Sequence, residues 1–122
     1  MIETKKLFKF LKKNKINFYT GVPDSVLKET KTYLEKIEKK NHIIASNEGS
    51  AVATAIGYHL STKKLPCVYF QNSGLGNAIN PLISIAHKKV YSIPLLLLIG
   101  WRGAPGKKDE PQHLSKGFIT PE

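Results

Sequence analysis

The stretch Leu65-Pro66-Cys67-Val68-Tyr69-Phe70-Gln71-Asn72-Ser73-Gly74-Leu75-Gly76-Asn77 decides how the rest of the chain is read. Its first half is almost wholly apolar. A strand with no polar alternation is one buried on both faces, as in a parallel sheet covered by helices. Its second half is a polar, glycine-bearing turn, and a helical pattern follows it to about His87, with Pro81 expected in the first turns, where proline is tolerated. Gly74 and Gly76 imply either close backbone approach to a neighbour or a turn with positive φ.

Working outward, strands are expected over Ile16–Tyr19, His42–Ser46, Leu65–Gln71 and Ile93–Gly100, the last read as a second doubly buried strand. Helices are expected between them. Ile2, Leu7, Phe10 and Leu11 give one from Thr4 to Lys13. Asp24 or Ser25 caps a second, which carries Val26, Leu27, Thr30, Leu34 and Ile37 and ends at Asn41. Asn47 and Glu48 open a third, rich in small residues, over Gly49–Ser61. Its Ala51, Ala55 and Gly57 offer a thin face for a partner helix. Trp101–His113 reads as a polar loop, and Leu114 begins a further element. Strands alternating with helices predict an α/β fold: a parallel sheet with helices on both faces, joined by right-handed crossovers. Ligands of such sheets sit at the carboxyl ends of the strands. Thr20–Ser25, Ser46–Gly49, Asn72–Asn77 and Trp101–His113 all fall there.

The chain has 122 residues, the size of one domain, and residues 1–122 are read as such. Its single cysteine, Cys67, excludes a disulfide framework and a multi-cysteine zinc site. No apolar run approaches a membrane span, and no secretory leader is legible, so a cytoplasmic location is expected. The net charge is +10, from 18 lysines and the lone Arg102 against 9 acids. Residues 1–40 hold 11 lysines and 5 acids. These lysines are mostly spread over two helical faces and are not clustered with aromatics in a loop, and readers of base edges favour arginine. Solvated helix faces are therefore expected, without nucleic-acid or membrane partners.

Several residues could carry chemistry. Glu48 lies where a strand ends and a small-residue helix begins. It is either an acid favoured by the helix dipole or a carboxylate in an apolar cleft that exchanges a proton with a ligand nitrogen. Arg102, Lys107, Lys108 and His113 suggest either a mobile polar loop or a lid bringing cations to an anionic substrate. His42, His59 and His87 lack metal-ligand spacing, and no metal ligands are assigned. Cys67, inside a buried strand, is expected to be inert.

Taken together, the loops carry a resemblance. Gly21-Val22-Pro23-Asp24-Ser25, Asn47-Glu48-Gly49 with Gly57-Tyr58-His59, Tyr69 through Asn77 with Asn80-Pro81-Leu82, Gly100-Trp101-Arg102-Gly103 and Asp109-Glu110-Pro111-Gln112-His113 are colinear with one family. The chain resembles the pyrimidine-binding domain of thiamine-diphosphate-dependent phosphonopyruvate decarboxylases and of sulfopyruvate decarboxylase alpha subunits. The resemblance implies decarboxylation of an anionic 2-oxo acid, most simply phosphonopyruvate to phosphonoacetaldehyde and carbon dioxide, with sulfopyruvate as the alternative substrate. It implies a catalytic set of Glu48, Asp24 and His113, Glu48 bonding the pyrimidine ring nitrogen. Pro23, Ser73, Gly74, Leu75 and Asn77 would bind the cofactor with Glu48. Ser25, Arg102 and Lys107 would meet the substrate, an assignment that rests on charge rather than on a motif. The family's Gly-Asp-Gly…Asn motif is missing, so the magnesium and diphosphate would be held by a diphosphate-binding domain or subunit in a homo- or hetero-oligomer. The family's domain also runs further than this chain, so a C-terminally incomplete domain is expected. A reading of another class keeps only the association role, a non-catalytic module that pairs with a partner subunit.

Overall fold

The computed structural model describes residues 3–120. Ile2, counted on the first helix's apolar face, and Pro121-Glu122 lie outside them.

Helix α1 (Thr4–Lys13) has the predicted bounds, and Lys12 and Lys13 in its last turn complement the helix dipole. It ends in a Schellman motif. Lys15 takes φ +62°, its N–H bonds Lys12 O at 3.0 Å, and the N–H of Ile16 bonds Leu11 O at 3.0 Å. Leu11 and Ile16 are both buried in the same core cluster, the apolar contact that accompanies this cap. Ile16 is thus taken up by the helix end. That is why strand β1 is Tyr19–Gly21 and not Ile16–Tyr19.

Helix α2 covers only Lys28–Leu34, shorter than expected at both ends. Asp24 caps an Asx turn, its Oδ2 accepting the Val26 N–H at 3.1 Å, before the helix begins. Beyond Leu34 only Ile37 packs inward among lysines, so little burial sustains further turns, and a 3-10 turn at Lys39–Asn41 leads into β2 (His42–Ile44). Helix α3 (Glu48–Thr62) opens as predicted: Asn47 is the N-cap, and its Oδ1 accepts the Ser50 N–H at 2.9 Å. Strand β3 (Cys67–Gln71) is buried on both faces as its composition requires.

A 3-10 turn at Asn72–Gly74 leads into α4 (Leu75–Pro81), and a π-helical turn follows at Leu82–Ala86. Gly74 has φ −84°, so it is not a positive-φ turn residue. Pro81 closes α4 instead of sitting in its first turns. Proline has no N–H for the carbonyl four residues back, here that of Asn77, and the helix changes pitch beyond it. The Asn77 carbonyl lies against Gly49 of α3: a Cβ on Gly49 would come within 2.7 Å of it. Strand β4 (Leu96–Gly100) follows, and α5 (Pro111–Ile119) starts inside the segment expected to be loop, with Pro111 in its first turn.

The four strands are all parallel, in the order β2-β1-β3-β4. From β1 the chain steps one way to β2 and then returns across to β3 and β4. Right-handed crossovers therefore place α2 on one face and α3 and α4 on the other. Alternate residues of β3 serve both faces: Cys67 and Tyr69 pack with Leu11 and Leu34, while Val68 and Phe70 pack with Val52 and Ala55. Two expectations are corrected. β4 is a half-buried edge strand, since among the described residues only β3 pairs with it. Ala51 and Ala55 are buried in the chain's own core, leaving Gly57 as the part of the thin face that meets open space.

Candidate active site

The strand order reverses between β1 and β3, so the loops that leave their carboxyl ends diverge and open a crevice. The sequence-predicted residues gather around it in two groups.

The first group centres on Glu48, at the first turn of α3. Its side chain is half-buried. Asn77 donates from Nδ2 to Glu48 Oε2 at 2.8 Å. Gly74 lies directly beneath the carboxylate: a Cβ there would collide with Cγ, Cδ and Oε1 of Glu48. Close approach is thus what Gly74 provides, and the neighbour is Glu48. Gly76, by contrast, has no neighbour within 4 Å of the space its Cβ would fill, which leaves that backbone open. The carboxylate is a hydrogen-bonded, half-exposed group at a helix N-terminus and not one enclosed by apolar walls, because the polar Asn77 forms its nearest partner. Leu75 starts α4 and packs half-buried on the core shared with α3. Ser73 Oγ accepts from Gln71 Nε2 at 2.7 Å.

The second group centres on Arg102, just after β4. Its Nη2 donates to Ser25 Oγ at 2.8 Å, and Nη1 donates to His113 Nε2 at 3.3 Å. Glu110 Oε2 stands 3.6 Å from the same guanidinium. His113 is on the first turn of α5 and not on a loop. Its Nδ1 is buried without a partner among the described residues. Gly103, at φ +66°, donates its N–H to Asp109 Oδ2 at 2.9 Å, which turns the chain back toward α5.

Three predicted residues stand apart from these groups. The Asp24 carboxylate lies against Gly100, where a Cβ would strike its Oδ2. Pro23 and Asp24 line a cavity of about 70 Å³ with Leu27, His42 and Tyr69. Lys107 is exposed and joins neither group through a side-chain hydrogen bond or ion pair among the described residues.

The remaining titratable groups read as structural. His42 Nε2 bonds the Tyr69 hydroxyl at 2.8 Å, and burial lowers its pKa. Burial also pushes Tyr69 up to about 12, with the neighbouring Cys67 adding to the shift. The fully buried Cys67 thiol is pushed up to about 12, which keeps it protonated and unreactive. Among the described residues, no group of three His, Cys, Asp or Glu could hold a metal ion.

Asn72 is the site residue that sequence reasoning missed. It is 3% exposed. The Arg102 N–H donates to its Oδ1 at 3.0 Å, and its Nδ2 donates to Arg102 O at 2.9 Å and to Thr120 Oγ1 at 2.8 Å. The available signal was a polar residue directly after a doubly buried strand, where each polar atom must find a partner.

Comparison with known proteins places this geometry in context. Residues 4–118 match the family described as thiamine pyrophosphate enzyme, N-terminal TPP binding domain. The chain is 42% identical over 100 residues to phosphonopyruvate decarboxylase of Streptomyces viridochromogenes, covering 82% of this chain and 24% of that protein. It is 35% identical over 97 residues to sulfopyruvate decarboxylase subunit alpha of Methanococcus maripaludis, covering 80% of this chain and 56% of that protein. Among solved structures, benzoylformate decarboxylase from Polynucleobacter necessarius superposes with a TM-score of 0.64 at 28% identity, over 84% of this chain and 19% of that one. The chain thus spans between a quarter and just over half the length of these curated relatives.

Proposed function

This chain belongs to the thiamine pyrophosphate enzymes, as an N-terminal TPP-binding domain, and from that premise we propose that it supplies the pyrimidine-binding half of a site that decarboxylates an anionic 2-oxo acid. The observation that carries the reading is the Glu48 carboxylate at the sheet's carboxyl edge. One oxygen is held by Asn77, and the other lies over Gly74.

The residues present fit an aminopyrimidine. A carboxylate with one oxygen already fixed has the other to offer a ring nitrogen, and Gly76, next in the chain to Asn77, faces open space. Leu75 would pack against the ring, Ser73, Gly74 and Asn77 would complete the turn around it, and Pro23 would approach it from the separate loop after β1. Thiamine diphosphate, when bound, supplies the carbanion chemistry that makes loss of carbon dioxide from a 2-oxo acid possible. Glu48 would hold and exchange a proton at the pyrimidine nitrogen, and Asn77, by donating to one carboxylate oxygen, would leave the other for it. His113, beside Arg102, and Asp24, which lies apart against Gly100, are the candidates for proton handling at the substrate. Arg102, with Ser25 bonded to it, would hold the substrate's anionic tail, since a guanidinium suits a phosphonate or sulfonate, and Lys107 would join them only by moving in from its exposed position. The magnesium and diphosphate would be held by a diphosphate-binding domain or subunit.

The greater identity to phosphonopyruvate decarboxylase favours phosphonopyruvate, yielding phosphonoacetaldehyde and carbon dioxide. One observation favours sulfopyruvate: the chain spans more than half of a relative that is itself a separate alpha subunit.

The test is Glu48→Gln in an assembly with a diphosphate-binding partner, assayed for carbon dioxide release. Glutamine offers an amide where a proton carrier is needed, and a fall of about 10²- to 10⁴-fold is expected. Activity within about threefold of wild type would remove Glu48 from the chemistry, since general acid–base groups contribute far more.

A further inference from the structure

We propose that Asn72 is a positioning residue that sets the Arg102 guanidinium over the crevice by bonding the Arg102 backbone from both sides. The proposal takes its functional meaning from the reading of Arg102 as the anion-holding group, but the positioning itself is testable without that reading.

Inside a sheet, neighbouring backbones fix each other by paired N–H and C=O bonds. The β3–β4 ladder closes with Gln71 opposite Gly100, so Arg102 lies beyond its reach. The Asn72 amide takes over there. Its Oδ1 accepts the Arg102 N–H and its Nδ2 donates to the Arg102 carbonyl, at 3.0 and 2.9 Å. These two bonds reproduce with one side chain what a partner strand would provide. The remaining donor of Nδ2 reaches Thr120 Oγ1 at 2.8 Å, beyond the end of α5.

The other side of the loop is held as well. The Trp101 indole N–H donates to Gly117 O at 3.1 Å. Gly103 and Gly117 pack so closely that a Cβ on either would strike backbone of the opposing segment. Helix α5, which carries His113, is therefore locked to the segment that carries Arg102. The guanidinium can meet Ser25 and His113 together only while this clamp holds, because the two partners, one on a loop and one on α5, lie 77 and 11 residues away in sequence.

Burial explains why an amide is required. At 3% exposure, water cannot replace the lost bonds, and a truncated side chain would strand the Arg102 N–H and C=O. No other common side chain of this length offers an acceptor and two donors.

Arg102 is the only arginine in the chain, so a reagent specific for guanidinium groups reports on it alone. The experiment follows the rate of phenylglyoxal modification by mass spectrometry, in the full chain, for wild type, Asn72→Ala and a control, Leu34→Ala. The control removes core packing under α2, which among the described residues forms no hydrogen bond to Asn72, Arg102 or α5, and thermal melts match the variants for stability loss. Arg102 should react about fivefold or more faster in Asn72→Ala than in wild type, the factor expected when one hydrogen bond's net contribution is lost. In Leu34→Ala it should react at the wild-type rate. If Asn72→Ala does not fold, Thr120→Val removes one anchor of the amide and should accelerate the reaction by about twofold, the low end of one bond's contribution. An unchanged rate in the folded Asn72 or Thr120 variant overturns the proposal, and so does equal acceleration in Leu34→Ala. A separate arm adds phosphonoacetate, with acetate as control. Protection by phosphonoacetate alone supports the anion-holding role of Arg102. Its absence removes that role and leaves the positioning result standing on its own.

Discussion

Glu48 and Gly74 come from different elements, yet each restricts the other. The carboxylate occupies the volume that any side chain at position 74 would need. Gly74→Ala should therefore displace Glu48 from Asn77 without unfolding the chain, because the obstructing atoms are the far end of a flexible side chain. The expected result is a stability loss below about 1 kcal/mol, at the mild end of overpacking effects. Activity of the assembled enzyme should fall by about 10- to 100-fold, the scale on which small displacements of reacting groups act. Melting curves and turnover measured on the same preparation check this, and unchanged turnover would show that Gly74 does not set Glu48. At this scale the sequence revealed which residue types matter but not their neighbours. Glu48 stood out as an acid opening a small-residue helix, and Gly74 as a site of close approach. That the two meet each other depends on α3 and the β3–α4 turn being brought together, which no spacing along the chain encodes.

At the scale of elements, β1 shows how three residues can anchor a sheet. Tyr19–Gly21 pairs with β2 on one side and β3 on the other. Gly21 sits directly against the carbonyl and ring of Tyr69, with no room for a methyl group. Unlike the Glu48 contact, this neighbour is backbone inside a ladder and cannot move aside. Gly21→Ala should cost about 2–3 kcal/mol or more, the upper range of overpacking penalties, and lower the urea midpoint accordingly. A midpoint within error of wild type would contradict the close packing of β1 on β3. The elements themselves were largely legible. Among the described residues, period and composition placed the four strands, β1 overlapping its expected range only at Tyr19, and four of the five α-helices. The boundaries that failed did so for local reasons of hydrogen bonding: a Schellman cap consumed Ile16, an Asx turn delayed α2, and Pro81 withheld an N–H from the Asn77 carbonyl. Helix α5 was missed although Glu110-Pro111 carries a known helix-start signal, because the glycines and prolines before it read as one continuous loop.

For the molecule as a whole, the proposed reading makes this chain one side of a shared cofactor site. They place a carboxylate and an open backbone for a ring, but no cluster of ligands for a metal ion. Titration calorimetry of this chain with thiamine diphosphate and magnesium should show binding weaker than about 1 mM, since a single hydrogen-bonded ring supplies little of the affinity. Addition of a diphosphate-binding domain should tighten it. Micromolar binding by the chain alone would contradict the half-site reading. The surface is consistent with partnership. Ile79 and Ile83, one helical turn apart on the α3–α4 layer, are 51% and 59% exposed, and Ile44 on the edge strand β2 is 64% exposed. The helix faces around α1 carry the lysines instead. No helix among the described residues is long and apolar enough to cross a membrane.

By itself the sequence determined the class of fold, the family and the four loops that meet at the sheet's carboxyl edge. Those follow from local chemistry: apolar runs that require burial on both faces, caps and glycines that stop helices, and motifs that lie in one order along the chain. Only the tertiary structure decided which groups share a neighbourhood. It separated the Glu48 group from the Arg102 group, placed His113 on a helix beside Arg102, left Lys107 outside both, and made Asn72 the link between two strand ends. It also made β4 an edge strand and closed α3 over its own small residues. These outcomes depend on strand order and on packing between segments up to 77 residues apart, where hydrogen bonds and steric contact act through space and leave no periodic trace in the sequence.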